Sequence, residues 1–155
     1  MAEPRTIFPY NRLSGAVDTL EGESPQKLVS DAGQLVIAMR PHIRSYVAAK
    51  VANLSRFATE TDEVLLAEGR TIGAITLAIA EVAGAGGMQT IGEIARGTSA
   101  LVDSLLHKGG WHSTAVRIHL QSLTLASQSQ TDDEPAERLM LDRLQIMRKV
   151  LAVSE

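Results

Sequence analysis

The sequence predicts an all-α protein, an antiparallel bundle of four or five helices. Apolar residues recur at intervals of three or four along most of the chain, which is typical of helices with one buried face. No segment alternates apolar and polar residues for long enough to indicate a strand. Short polar or glycine-rich stretches separate the apolar patterns, and amphipathic helices with short connections favour a bundle.

The composition argues against several classes of function. The 155 residues contain no cysteine, so disulfides and cysteine-ligated zinc are excluded. A net charge of −3 gives no positive field for nucleic acid or anionic lipid. The apolar segment 72–80 is shorter than the ~20 residues of a membrane span, and the N-terminus lacks the apolar core of a signal peptide. We expect a cytoplasmic protein without nucleic-acid or membrane partners.

The first residues differ from the rest of the chain. Residues 1–23 have no sustained apolar period and predict an N-terminal arm. Phe8 and Tyr10 in this arm are expected to pack on their own domain or to reach a partner. Ser24 and the proline after it form a helix start, because the hydroxyl caps free amides and proline suits the first helical position. Residues 24–155 are predicted to form a single helical-bundle domain.

The first predicted helix is long and contains Pro41. Proline removes one hydrogen bond and clashes with the preceding turn, so we expect a kink or short break near Arg40 with helix on both sides. The apolar stripe of this helix consists of Leu28, Ala32, Leu35, Met39, Ile43, Tyr46, Val47, Val51, Leu54 and Phe57.

The second predicted helix runs from about Asp62 to Ala83. Thr61, or Thr59 together with Asp62, is the expected cap, and glycines within residues 84–87 end the helix. A glycine-rich turn before a helix can also bind phosphate. No lysine follows this turn and no strand precedes it, which favours a plain connection.

Three further helices are predicted. They are residues 88 to about 107, a helix capped by Ser113 that carries Val116, Leu120, Leu123 and Leu125, and a last helix opened by Pro135 that carries Leu139 or Met140, Leu144, Met147, Val150 and Leu151.

The second helix has two contrasting faces. Its predicted core stripe contains Ile72, Ile75, Ile79 and Val82. Leu77 falls on the opposite side and is expected to be exposed. The residues three and four positions from it are Gly73, Ala74, Ala80 and Glu81. Three of these are too small to cover a leucine, which indicates a shallow surface that another domain can approach. The alternative is a lone exposed leucine, a common feature of soluble proteins.

The segment LAIAEVAGAGGMQTIGEIA, which begins at Leu77, resembles the central signature of histidine phosphotransfer (HPt) domains. In that signature a phospho-accepting histidine is followed ten residues later by a glycine, and then by a helix with regularly spaced apolar residues. The match places the family's glycine at Gly87, its small residues at Ala83 and Gly84, and its histidine at Leu77. The basic residue that usually follows the histidine is replaced by Ala80.

The resemblance covers about residues 67–127, and AGAGG, MQTIGEIA, SALVDSLL and AVRIHLQSL look like the CheE-type accessory proteins of bacterial chemotaxis operons. Leucine has no nucleophilic nitrogen and cannot carry a phosphoryl group. The resemblance therefore implies a phosphotransfer-like bundle that acts by binding a response-regulator receiver domain or a chemotaxis kinase. The partner-binding residues that it implies are Gly73, Ala74, Leu77, Ala78, Ala80, Glu81 and Gly84.

No catalytic residue, metal or cofactor is expected. His42, His107, His112 and His119 have no second catalytic group at a helical spacing, so each is predicted to be solvated or to cap a helix. Two alternatives to the adaptor remain. One is a structural or assembly protein that forms a homodimer through a helix face or the arm. The other is a phosphorelay through a displaced histidine, either His107 or His112.

Overall fold

The computed structural model describes residues 24–129 and 134–153, which form six α-helices and no strand. The helices are α1 (Pro25–Ser55), α2 (Asp62–Ala67), α3 (Gly69–Val82), α4 (Gln89–Lys108), α5 (Ser113–Gln128) and α6 (Glu134–Val153), and a 3-10 helix (Arg56–Thr59) follows α1. The predicted all-α helical bundle with a long first helix is confirmed. The predicted arm, with Phe8 and Tyr10, lies outside the described residues.

Two compact units make up the chain, residues 1–35 and residues 36–155. The described part of the first unit is the start of α1. Ser24 caps this helix as predicted, because its hydroxyl accepts a hydrogen bond from the Lys27 amide at 3.2 Å. All side chains in residues 24–35 are exposed.

Pro41 lies inside α1 without ending it. The helix of 31 residues is continuous through this position, so the predicted short break near Arg40 does not occur. Of the two outcomes that the sequence predicted at Pro41, the break is therefore wrong, and the kink within a continuous helix stays a prediction. The loss of one amide donor leaves the hydrogen bonds of the turns on both sides in place.

The apolar stripe of α1 is buried only towards its C-terminal end. Val47, Val51 and Leu54 belong to the core of residues 36–155. Met39 and Tyr46, which share the stripe, are 48% and 44% exposed. The helical period therefore identified a face of α1 correctly, but a period does not say which residues along that face another element covers.

The predicted second helix is divided into α2 and α3 at Glu68. Thr61 caps α2 as predicted, since its hydroxyl accepts a hydrogen bond from the Val64 amide at 3.4 Å. Trp111 packs against the chain at this division. A Cβ at Gly69 would lie 3.2 Å from its indole ring. The glycine thus leaves space for the one tryptophan of the chain.

His112, and not the predicted Ser113, caps α5. The imidazole Nδ1 accepts a hydrogen bond from the Ala115 amide at 3.3 Å. Ser113 instead accepts a hydrogen bond from the Trp111 indole at 3.0 Å. The tryptophan therefore packs across the start of α5.

The core of residues 36–155 is aliphatic, and α4 is its central helix, in contact with α3, α5 and α6. Its largest fully buried apolar side chains are Leu54, Leu65, Ile72, Ile79, Ile94, Leu120, Leu123, Val47, Val102 and Val116. Burial of each leucine or isoleucine side chain stabilises the fold by roughly 1.5–3 kcal/mol. Leu125 and Val150 are exposed, so these two predicted stripe positions are not buried. Of the alternatives Leu139 and Met140, Met140 packs against the core.

Candidate functional site

Leu77 lies on the exposed side of α3. Its side chain is 48% exposed, whereas Ile72, Thr76 and Ile79 on the same helix are fully buried. The prediction that Leu77 points away from the core is confirmed. We use the name Leu77 surface for the exposed side of α3 and the adjoining groove on α4, which together comprise Gly73, Ala74, Leu77, Arg96, Ala100 and Asp103.

Small residues position α3 closely on α4. A Cβ at Gly92 would lie 3.3 Å from the Cβ of Ala83, which is tighter than an ordinary van der Waals contact. The buried Thr76 hydroxyl donates to the carbonyl oxygen of Ile72 at 2.9 Å, and the buried Thr98 hydroxyl is satisfied within its own helix in the same way. Both hydroxyls are thus paired without separating the two helices.

The groove between α3 and α4 has a volume of about 470 Å³ and lies beside Leu77. Arg70, Arg96 and Asp103 line it together with small and apolar side chains. A Cβ at Gly73 would lie 3.5 Å from Val102, so the groove could hold one more methyl group without displacing a neighbour. This surface is shallow, largely apolar and mixed in charge.

Six of the seven predicted partner-binding residues reach the surface, and Ala80 does not. Ala74, Leu77, Glu81 and Gly84 are exposed, and Gly73 and Ala78 are half-buried. Ala80 is only 6% exposed and belongs to the core. At about 100° per residue, the buried arc of α3 is centred about 70° from the predicted stripe, and Ala80 lies within that arc.

The glycine turn after α3 ends the helix through two nested backbone hydrogen bonds. Gly87 has a φ of 74°, a left-handed conformation that glycine adopts without steric cost. The Met88 amide donates to the carbonyl oxygen of Ala83 at 2.9 Å, and the Gly87 amide donates to that of Gly84 at 3.0 Å. This pattern is the Schellman motif. The glycine that matches the phosphotransfer signature thus has a conformational role here.

The same turn has no amide free for phosphate. The amides of residues 85–88 all donate to backbone carbonyl oxygens, and the Arg44 side chain donates from Nε to the carbonyl oxygen of Gly86 at 3.0 Å. The glycine turn itself therefore offers no outward-pointing amide to a phosphate group, and the plain connection that the sequence favoured stays a prediction.

His119 is fully buried, which contradicts the prediction that every histidine is solvated or capping. Burial lowers the pKa of His119, the hydrogen bond to the Ala115 carbonyl opposes this shift, and the positive charge of Arg148 adds to it. Its Nδ1 lies 2.8 Å from the Ala115 carbonyl oxygen, so Nδ1 carries the proton. The sequence indicated this burial, because His119 lies three residues after Val116 and four before Leu123 and therefore on the apolar face of the helix.

The remaining histidines lie at the surface or at a helix end. His42 is exposed, and His112 caps α5 as described above. His107 is exposed, and its Nδ1 lies 3.3 Å from Oδ1 of Asp103, four residues earlier on α4. The expectation that no second catalytic group lies at a helical spacing from this histidine was therefore wrong. Phosphorelay through His107 or His112 stays a prediction.

Within residues 24–129 and 134–153, no three histidine, aspartate or glutamate residues are grouped closely enough to hold a metal ion. None of the helices described is both long enough and apolar enough to cross a bilayer. No protein-family model, curated protein sequence or solved structure matches the chain. The phosphotransfer resemblance therefore stays a prediction based on the signature that begins at Leu77.

Proposed function

We propose that the chain is a non-catalytic adaptor of a chemotaxis or two-component system, and that it binds a response-regulator receiver domain or a kinase component through the Leu77 surface. One observation carries the proposal. The residue at the position of the resembled family's phospho-accepting histidine is a leucine, and it is 48% exposed on an otherwise well-packed helix.

The chemistry of the surface suits protein binding. An exposed leucine among glycine and alanine offers apolar contact to a partner at close range. Its complete burial would contribute about 1 kcal/mol, roughly half the value for a leucine that starts fully exposed. Arg96 and Asp103 line the adjoining groove and supply the polar rim that surrounds the apolar centre of most protein interfaces.

Binding without phosphate transfer follows from the side chain at position 77. A leucine cannot form a phosphoramidate, so a receiver domain docked at this surface would keep its phosphoryl group. The adaptor would act by occupying the receiver domain, in competition with the histidine-bearing proteins that use the corresponding face in the resembled family.

A binding titration tests the proposal. Receiver domains and kinase components encoded beside this chain would be titrated with the wild-type protein and with Leu77→Arg. We expect the substitution to weaken binding at least tenfold, since it places a charge at the apolar centre. Leu125→Arg is the matched control, because Leu125 on α5 is 63% exposed and does not line the groove. Equal affinities for the wild type and Leu77→Arg would rule the surface out.

A homodimeric assembly protein is the second candidate, and the exposed face of α1 favours it. Within residues 36–155, Val36, Met39 and Tyr46 are 42%, 48% and 44% exposed, and their spacing places them on one side of the helix. Exposed apolar groups in a row are typical of interfaces. Light scattering would give twice the chain mass for a dimer, and Met39→Glu would restore the monomer mass. A monomer at all concentrations would exclude this candidate.

A further inference from the structure

A second groove, the α4–α6 cleft, lies between the C-terminal half of α4 and α6. Its volume is about 960 Å³, which is within the range of small-molecule sites. Leu101, Leu105 and Leu151 provide apolar lining. All the residues that line it belong to the compact unit of residues 36–155.

The α4–α6 cleft is lined by more positive than negative side chains. Lys108, Arg148 and Lys149 line it, and no aspartate or glutamate does among the residues described. The C-terminal ends of α4 and α6 each add a partial negative charge of about one half. Leaving Lys108 aside, because it has an interaction partner, the two full positive charges of Arg148 and Lys149 exceed these partial charges, so the potential in the cleft favours an anion.

Gly97 on α4 positions the guanidinium group of Arg148. A Cβ at Gly97 would lie 2.7 Å from Cζ of Arg148, so the guanidinium occupies the space that a side chain on α4 would fill. The Nε of Arg148 is buried and has no hydrogen-bond partner among the described residues. A buried donor without a partner is costly. Because the Nε is shielded from solvent, a ligand in the cleft accepts hydrogen bonds only from the terminal nitrogens of this guanidinium.

We propose that the α4–α6 cleft binds a small amphipathic anion, namely an aliphatic carboxylate. Its carboxylate accepts paired hydrogen bonds from the planar guanidinium of Arg148, a geometry that a lysine cannot provide. Its hydrocarbon chain lies along Leu101, Leu105 and Leu151. The two parts of the ligand correspond to the two kinds of lining, charged and apolar.

Calorimetric titration of the full chain with octanoate tests both parts. Octanamide keeps the chain length without the charge, and acetate keeps the charge without the chain. We expect saturable binding of octanoate at one site per chain, and at least tenfold weaker binding of octanamide and acetate. Absence of saturable octanoate binding would overturn the proposal. Equal binding of octanamide would also overturn it, because the cleft would then select only for apolar surface.

Two variants locate the site on the chain. Arg148→Gln removes the guanidinium, and Gly97→Ala keeps its charge but displaces it with a methyl group. Both should weaken octanoate binding at least tenfold, whereas Arg96→Gln, a control in the groove beside Leu77, should not. Unchanged affinity in both variants would overturn the assignment. Should Arg148→Gln fail to fold, Gly97→Ala decides alone, because its Cβ meets only the flexible end of an arginine side chain.

Discussion

The two grooves beside α4 differ in volume and in charge, although Ala100 lines both. On the α3 side the lining is small, and Arg70 and Arg96 are balanced in part by Asp103. On the α6 side the cleft has about twice the volume, and among the described residues its charged lining consists of Lys108, Arg148 and Lys149. The first suits the broad, weakly charged contact of a protein domain, and the second suits a small anion. One helix can thus present two surfaces of different chemistry.

The largest expected contrast lies between the two faces of α3. Ile79→Ala should lower the free energy of unfolding by about 2–5 kcal/mol, since it leaves a cavity in a fully buried position. Leu77→Ala should change it by less than about 0.5 kcal/mol, because surface truncations have small effects. Urea denaturation measures both. Equal losses in the two variants would mean that Leu77 is part of the core and that the surface facing a partner has been misplaced.

Substitutions of two glycines near the grooves distinguish the stability cost of backbone strain from the cost of limited space for a side chain. Gly87→Ala should destabilise the fold by about 1–2 kcal/mol, because a positive φ is unfavourable for any residue with a Cβ. Gly97→Ala should be near neutral, since alanine favours a helix by up to about 1 kcal/mol and the arginine end can move. Thermal unfolding compares them directly. A larger loss for Gly97→Ala would show that the α4–α6 contact is rigid.

The pH dependence of stability reports on His119, which interacts electrostatically with Arg148 of the α4–α6 cleft. Because burial lowers its pKa, the unfolded chain takes up a proton near pH 6.5 while the folded chain remains neutral. Stability should therefore decrease as the pH falls below about 6.5, by at most about 1.4 kcal/mol per pH unit for one proton. Urea unfolding at pH 7.5, 6.5 and 5.5 should show a flatter dependence in His119→Leu. Identical slopes would contradict the burial of a neutral imidazole.

A small stabilisation is expected at the floor of the groove beside Leu77. Gly73→Ala should stabilise the protein by up to about 1 kcal/mol, because the methyl group has space beside Val102 and alanine is the better helix former. It should leave octanoate binding unchanged. Destabilisation by this substitution, measured by urea denaturation, would mean that α3 and α4 are already in full contact there.

Local signals in the sequence were sufficient for much of the fold. The cap at Ser24, the cap at Thr61 and the stop at Gly87 were predictable because each depends on a few neighbouring residues. The exposure of Leu77 was predictable for a similar reason, since a helical period places it opposite Ile75 and Ile79.

The remaining features depend on contacts between distant segments. Burial of Ala80 depends on the elements that pack against α3, which a single-helix pattern does not contain. The pairing of Gly97 with Arg148 joins positions 51 residues apart. Exposure of Met39 and Tyr46 likewise depends on what covers α1. The candidate site could thus be located from the sequence, but its edge at Ala80 and the α4–α6 cleft could not.

Mapping of amide chemical shifts on receiver binding tests the central claim most directly. With the labelled chain and an unlabelled receiver domain, we predict that the shifts concentrate at Gly73, Ala74, Leu77 and Glu81 and on the adjoining part of α4. The amide chemical shifts of residues that line only the α4–α6 cleft, such as Leu151, should not change. Shifts confined to residues 36–46 of α1, with the Leu77 amide unmoved, would contradict the claim.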